Sequence, residues 1–309
     1  MFARLFYQEK GFFLQSLHPV TILIYLGVLF ALALIFTNPL YLLGMLLVIT
    51  LSIWSVEGLE SLAVYLKIGL GMAVAVVIIN SLTAHLGVTV IWRGPELPLF
   101  GRISICLEAI CYGAMMSVRL LAIMAIFCLY NLIMHPDKIL AILARFAFKS
   151  ALVISLATRM FPALLKQLDN IREVQSLRGV DFNRGSLVDK LRHYLSLVEI
   201  LLLTSLEDAF EIAEAMQARA FGSGKRSVYR RDFFRPRDYI CLAASFAALI
   251  LAAWGQAKGY STFAYYPRLD HLIKGPATLV ILFLLILSLS VPVLLSWGWQ
   301  HCLYIKSRI

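Results

Sequence analysis

Six apolar runs, at residues 20–36, 39–56, 61–82, 108–132, 238–257 and 276–300, dominate this 309-residue sequence. A helix needs roughly 17–25 apolar residues to cross about 30 Å of hydrocarbon, and each run is of that length. Inside a bilayer the backbone has no water to bond, so continuous apolar runs of this length are held to the helical form. The sequence therefore predicts an all-α, polytopic membrane protein with about six transmembrane helices. Composition agrees: mean hydropathy is +0.82 and only 15% of residues are charged, against about 25% in soluble domains. Asn38 and Pro39 separate the first two runs and predict a tight helical hairpin. Lys67 lies near the start of the third run, where its own stem can carry the charge to the interface.

Between the fourth and fifth runs the text changes. Residues 135–237 hold 17 of the 28 Lys and Arg and 11 of the 18 Asp and Glu, a local net charge of +6. The domain expectation is a membrane segment of four spans over 1–134, a coupling region of two to three long amphipathic helices over 135–237, and two further spans over 238–309. Six spans put both termini on the side of the charged segment. The basic residues Arg4, Lys10, Lys306 and Arg308 then make that side cytoplasmic, with N and C termini inside. The N-terminal stretch, with no short apolar core before a small-residue cleavage site, reads as retained.

Local patterns fill in the rest. At 83–107, VTVIW and LPLF read as the arms of a short external hairpin around an RGPE turn, with Pro98 weakening the second arm. Tyr260, Tyr265 and Tyr266, in the loop at 258–275, read as an interfacial belt. In the charged segment, Pro136 suits a first helical position. A helix follows that is apolar to about Leu165 and charged beyond, with a kink expected at Pro162. From about 187 to 221, Leu206, Ala209, Phe210, Ala213 and Met216 recur at helical spacing, while Glu207, Asp208, Glu211 and Glu214 occupy other faces. That is an amphipathic helix with one packing face.

Enzymatic motifs are missing: there is no HExxH, GxSxG, GxGxxG or complete phosphate loop, and GSGK at 222–225 lacks the earlier glycine and the strand. Cys106, Cys111, Cys128, Cys241 and Cys302 stand singly and read as small hydrophobes rather than ligands. The histidines are dispersed; His85 and His271 alone suggest a shared external face. No aromatic–basic stripe of the kind that binds nucleic acid is present. Glu108 and Arg119 lie within the fourth run on nearly one helix face, about 16 Å apart along the axis, too far to pair. Arg119 needs a partner from another helix or a backbone carbonyl, and both residues read as intramembrane polar anchors.

The strongest signal is a pair. Arg178-Gly179 closes one charged helix, and Arg219-Ala220, with Gly222 after it, closes another 41 residues later. Arginine in a last turn complements the negative helix end, and a following glycine supplies a left-handed cap, so two well-capped helices explain the pattern structurally. Each cap is also followed by an aromatic and a basic residue, Phe182 with Arg184 and Phe221 with Lys225. Twin helix ends that carry arginine suit acidic grooves on a partner.

These segments resemble the paired Ala-Arg-Gly motifs of the transmembrane T component of energy-coupling factor transporters, a family that includes the Q-type subunit of cobalt importers. The opening SLHPVTILIYLGVLFALALIFTNPLYLL, the stretch RLLAIMAIFCLYNLIMHPDKILAILARF and the two charged helices resemble the family in order, over roughly residues 15 to 257. The resemblance implies a non-catalytic subunit in a bacterial or archaeal cell membrane. Its two coupling helices would sit on two cytosolic ATPases, which bind the ATP, and this chain would hold no cofactor or metal. Their closure would move a small membrane-embedded substrate-capture subunit for uptake of a vitamin or a transition-metal ion such as cobalt or nickel. Leu177, Arg178 and Gly179 match the first motif, and Ala218, Arg219 and Ala220, with Gly222, the second. Leu177 replaces the usual alanine and Ala220 the usual glycine. Because alanine lets a helix continue, the sequence predicts a second cap delayed to Gly222. The rival readings are a conventional importer permease that lines the substrate path itself, and a membrane enzyme acting on lipids through Glu108.

Overall fold

The computed structural model describes residues 12–83, 88–97, 101–135, 138–140, 142–143, 147–180, 182, 187–224 and 233–301. Arg4, Lys10, His85, Pro98, Pro136, Arg184, Lys225, Cys302, Lys306 and Arg308 lie outside those residues. Eight helices run through the described chain: α1 Pro19–Ile35, α2 Pro39–Trp54, α3 Leu59–Thr83, α4 Leu107–Ile133, α5 Phe148–Leu177, α6 Leu187–Ala218, α7 Pro236–Ala257 and α8 Pro276–His301. The chain divides into two compact units. One comprises Met1–Lys138 with Asp232–Ile309, and the other Ile139–Arg231.

The first unit is a bundle of α1–α4, α7 and α8. The helices start where the sequence says they should. His18 Nδ1 accepts from Val20 N (3.2 Å) and Asn38 Oδ1 from Leu40 N (3.0 Å), each followed by proline at the first helical position. α2 fills the bundle's interior, with Tyr41, Leu42, Met45, Val48, Ile49 and Ile53 all fully buried. It packs mainly on α4 and α8, while α1 packs on α7 and α4. The most extensive pairing joins α3 to α4. There a side chain at Gly113 would come within 3.1 Å of Val77 Cα, and Ser117 Oγ donates to Ala73 O across the interface (2.8 Å). Close backbone approach and an interhelical hydroxyl bond are how helices associate in lipid, where apolar burial gives no driving force.

Five described helices are long and apolar enough to cross a bilayer: α3, α4, α5 from Ser150, α7 and α8. α1 and α2, at 17 and 16 residues, are equally apolar but shorter. α5 satisfies the length and composition of a span although the sequence places it in the charged segment, because its charges gather beyond Leu165. It runs unbroken through Pro162.

Three local expectations are corrected. The hairpin pairs β1, Val90–Leu97, with β2, Gly101–Cys106, so GRISIC forms its second arm; of the LPLF expected there, Leu97 ends β1 and residues 98–100 lie outside the described residues. RGPE lies within β1, where the register shifts between Arg93 and Glu96, an irregularity that accommodates a proline unable to donate to the ladder. The stripe of Leu206, Ala209, Phe210, Ala213 and Met216 is not a buried face. Phe210 is 63% exposed and Leu206 is exposed, whereas Leu197, elsewhere on α6, is buried. In the second unit α5 and α6 pack together, and this contact uses only part of an apolar surface broader than one stripe. Tyr265, expected in an interfacial belt, is buried and donates from its hydroxyl to Thr37 O (3.0 Å).

The loop at 258–275 is stapled by Lys274, whose Nζ meets Asp270 Oδ2 at 2.9 Å and Gly259 O at 3.3 Å. The bond from Lys274, joined by His271 N–H, holds the Asp270 carboxyl below its ordinary range. A depressed folded pKa adds stability above the unfolded value and loses it as pH falls through the folded one. Amide exchange in residues 258–275 is therefore expected to accelerate as pH is lowered below about 4, beyond the intrinsic pH trend, and Asp270→Asn is expected to abolish that step.

One polar cluster organises the start of α7. Arg237 is 1% exposed, lies over the rings of Phe13 (5.4 Å) and Trp299 (5.5 Å), and donates to Ser16 O (2.6 Å). The Asp238 carboxylate accepts from Arg235 N and from His18 N, both at 2.8 Å, so one side chain joins the start of α7 to the start of α1. Gln15 Nε2 donates to Leu132 O (2.9 Å), and Lys138 Nζ to Gln15 O (2.7 Å). The segment 13–18 thus holds the end of α4 and the start of α7 together. Arg237→Ala is expected to destabilise the protein by about 3 kcal/mol in denaturant titration, through the emptied space and the orphaned Ser16 carbonyl, and Arg237→Met by less.

Candidate functional site

The two motifs end their helices in the same way. α5 stops at Leu177, Arg178 occupies the C-cap with φ −79°, and Gly179 takes φ +90°. Gly179 N donates to Ser176 O (3.0 Å) and Val180 N to Gln175 O (3.1 Å), the pair of reversed bonds that defines a Schellman cap. α6 stops at Ala218, and Ala220 takes φ +53°. Ala220 N donates to Gln217 O (2.9 Å) and Phe221 N to Met216 O (3.0 Å). Position by position this is the same cap, with Arg178 matched by Arg219 and Gly179 by Ala220.

The expected delay of the second cap to Gly222 is thereby corrected. Left-handed backbone costs an L-residue roughly 1–2 kcal/mol, and the two reversed bonds with the following turn outweigh that cost. The turn continues with Ser223, whose N and Oγ both bond Ala220 O (3.2 and 2.8 Å), and with Gly222 at φ +89°. Gly222 follows the cap and does not form it.

Leu177 is 82% exposed, and Arg178, Gly179, Ala218, Arg219, Ala220 and Gly222 are exposed as well. The aromatic followers diverge. Phe221 is exposed, whereas Phe182 is 6% exposed and is set against Tyr194 (5.7 Å between ring centroids), His193 (6.2 Å) and the Arg172 guanidinium (5.8 Å). Beside the first cap lies a groove of about 510 Å³, lined among others by Asp169, Arg172, Glu173, Gly179 and Phe182. The charges facing it are therefore mixed rather than uniformly basic.

The intramembrane charges find separate partners. Arg119 Nη2 donates to Phe36 O (2.7 Å), at the C-terminal end of α1. Glu108 Oε1 accepts from Thr89 Oγ1 (2.5 Å) and Thr89 N (3.1 Å), which ties α4 to the chain entering β1. Among the described residues no group of three His, Cys, Asp or Glu side chains is placed to hold a metal ion. Sequence reasoning missed the Arg237–Asp238 cluster. Its signal was RPRDY, with proline at the first helical position and an acid at the third.

Against that geometry, comparison with known proteins is specific. The family described as CbiQ, cobalt transport protein, matches residues 10–229. The chain belongs to this family. Similar proteins include the energy-coupling factor transporter transmembrane protein EcfT of Heliobacterium modesticaldum, 30% identical over 192 residues, which are 58% of this chain and 71% of that protein. EcfT of Acidaminococcus fermentans is 28% identical over 167 residues, 50% of this chain and 62% of that protein. EcfT of Streptococcus thermophilus is 34% identical over 102 residues, covering 33% and 39%. Toward the latter two, the match spans less than two thirds of the relative's length. The family match covers both capped helix ends, and the chain is a multi-pass membrane protein of this transport family.

Because Ala220 holds a left-handed position that its neighbours leave open, Ala220→Gly is expected to stabilise the second unit by about 1 kcal/mol, and Gly179→Ala to destabilise it by a similar amount. Hydrogen exchange of Phe221 and Val180 amides reports each cap directly.

Proposed function

We propose that this chain is the transmembrane energy-coupling subunit of an energy-coupling factor importer. In this reading two cytosolic ATPases bind and hydrolyse ATP and seat on the arginine-bearing ends of α5 and α6. The chain passes their movement to a small membrane-embedded capture subunit that carries a vitamin or a transition-metal ion such as cobalt or nickel. It has no catalytic residues and binds no cofactor. Both termini and residues 135–237 face the cytoplasm, and 1–134 and 238–309 form the part embedded in lipid.

The observation that carries the reading is the identity of the two caps. Two helices end with arginine at the C-cap, a left-handed residue next and the motif residues themselves exposed. An arginine fixed at a rigid helix end loses little freedom on pairing with a carboxylate, which favours it as a docking anchor. A pair of equivalent ends fits a pair of equivalent partners. The names of the similar proteins support the assignment, as each is a transmembrane component of such a transporter.

The proposal is tested by charge reversal. Arg178→Glu and Arg219→Glu are each expected to weaken co-purification of the ATPases by about ten-fold, as for loss of a buried charge-assisted pair, and the double variant to abolish it, with an unchanged melting profile for the isolated chain. Full assembly and transport by the double variant would falsify the docking assignment. A conventional permease would in addition bind the substrate without a capture subunit, which equilibrium binding to the purified chain checks.

A further inference from the structure

A second site lies in the first unit, at the end of the bundle where α1 turns into α2. The loop at 258–275 folds over that turn, with Phe263 N donating to Thr37 Oγ1 (3.0 Å) and Tyr265 Oη to Thr37 O (3.0 Å). Beneath it is a cavity of about 400 Å³, lined among others by Arg119, Tyr112, Met115, Met116, Tyr265 and Tyr266. The volume falls within the range of small-molecule sites, and the walls are aromatic and thioether with a single cation.

Among the described residues no carboxylate forms an ion pair with Arg119; Glu108, three turns away on α4, is bonded by Thr89 through Oε1, and its Oε2 is buried without a partner of its own. The guanidinium bonds Phe36 O and, weakly, Met116 Sδ at 3.6 Å, and its Nε is buried without a partner. The Tyr266 hydroxyl, on the same cavity, is also buried and unpartnered. Unmet donors around an uncompensated positive charge call for an oxyanion.

Depth indicates which one. α1 has 17 residues and so rises about 25 Å, most of the hydrocarbon thickness. The guanidinium at Phe36 O therefore lies close to a bilayer boundary, the level of lipid phosphates and of interfacial tyrosines. We propose that this cavity binds the phosphate group of an anionic phospholipid, with Arg119 as its counter-charge, Tyr266 as a hydrogen-bond donor, and Met115, Met116 and the tyrosine rings against the apolar part.

The test is native mass spectrometry of the full chain in detergent, titrated separately with dioleoyl phosphatidylglycerol, inorganic phosphate and dioleoylglycerol. Saturable binding of the phospholipid is expected, weakened about ten-fold or more by Arg119→Gln and about three-fold by Tyr266→Phe. Inorganic phosphate that binds as tightly as the lipid, with the same dependence on Arg119, would support the phosphate site and overturn its assignment to lipid. Dioleoylglycerol binding as well as phosphatidylglycerol, no binding of either phosphate probe, or undiminished binding to folded Arg119→Gln would overturn the proposal. Tyr266→Phe leaves the bond to Phe36 O in place, so if Arg119→Gln fails to fold, the decision falls to it. A three-fold loss then supports the site and unchanged binding overturns it.

Discussion

A helix that stops leaves four carbonyls at one end and four amides at the other without partners, and in or near lipid those groups cannot turn to water. Several of the polar side chains in the membrane unit serve those ends. His18 and Asn38 start α1 and α2, Asp238 serves the starts of both α1 and α7, Gln15 takes Leu132 O at the end of α4, and Arg119 takes Phe36 O after α1. The ends of α2, α5, α6 and α7 are closed by reversed backbone bonds around Glu57, Gly179, Ala220 and Gly259, each with positive φ.

That principle bears on the two arginines. Because the Schellman geometry satisfies the last carbonyls from the backbone, Arg178 and Arg219 are not required as caps and their side chains stay exposed. A helix end whose own bonds are complete can present a cation without losing stability when a partner leaves. This suits the ends to the repeated docking and release that the proposed coupling role requires. The apolar surface of α6 around Leu206 and Phe210, exposed in the chain alone, adds area that a partner or lipid would cover.

The fold was legible where apolar length and punctuation agreed. Continuous runs specified helices, and His18-Pro19 and Asn38-Pro39 specified where two of them begin. The end of α5 was legible in Arg178-Gly179, since glycine alone marks left-handed backbone. The end of α6 was not, because alanine is the best helix former and nothing in its local preference shows that reversed bonds overcome the cost of φ +53°. The packing face of α6 was misassigned for a related reason: periodicity shows that a helix has an apolar stripe but not what covers it. Arg237 and Tyr265 were invisible as interior residues because their partners, Ser16 and Thr37, lie more than 200 positions away in sequence. The twin motifs were visible as residues, and their equivalence emerged only from the backbone.

The central claim is that the ends of α5 and α6 are two equivalent docking points. Photocrosslinking from an unnatural residue at Leu177 and, separately, at Phe221 in intact membranes tests it most directly, because neither side chain forms the cap hydrogen bonds. The account predicts that each position captures an ATPase subunit, with similar yield. Crosslinks from both positions to lipid alone, or from only one of them to an ATPase, would contradict it.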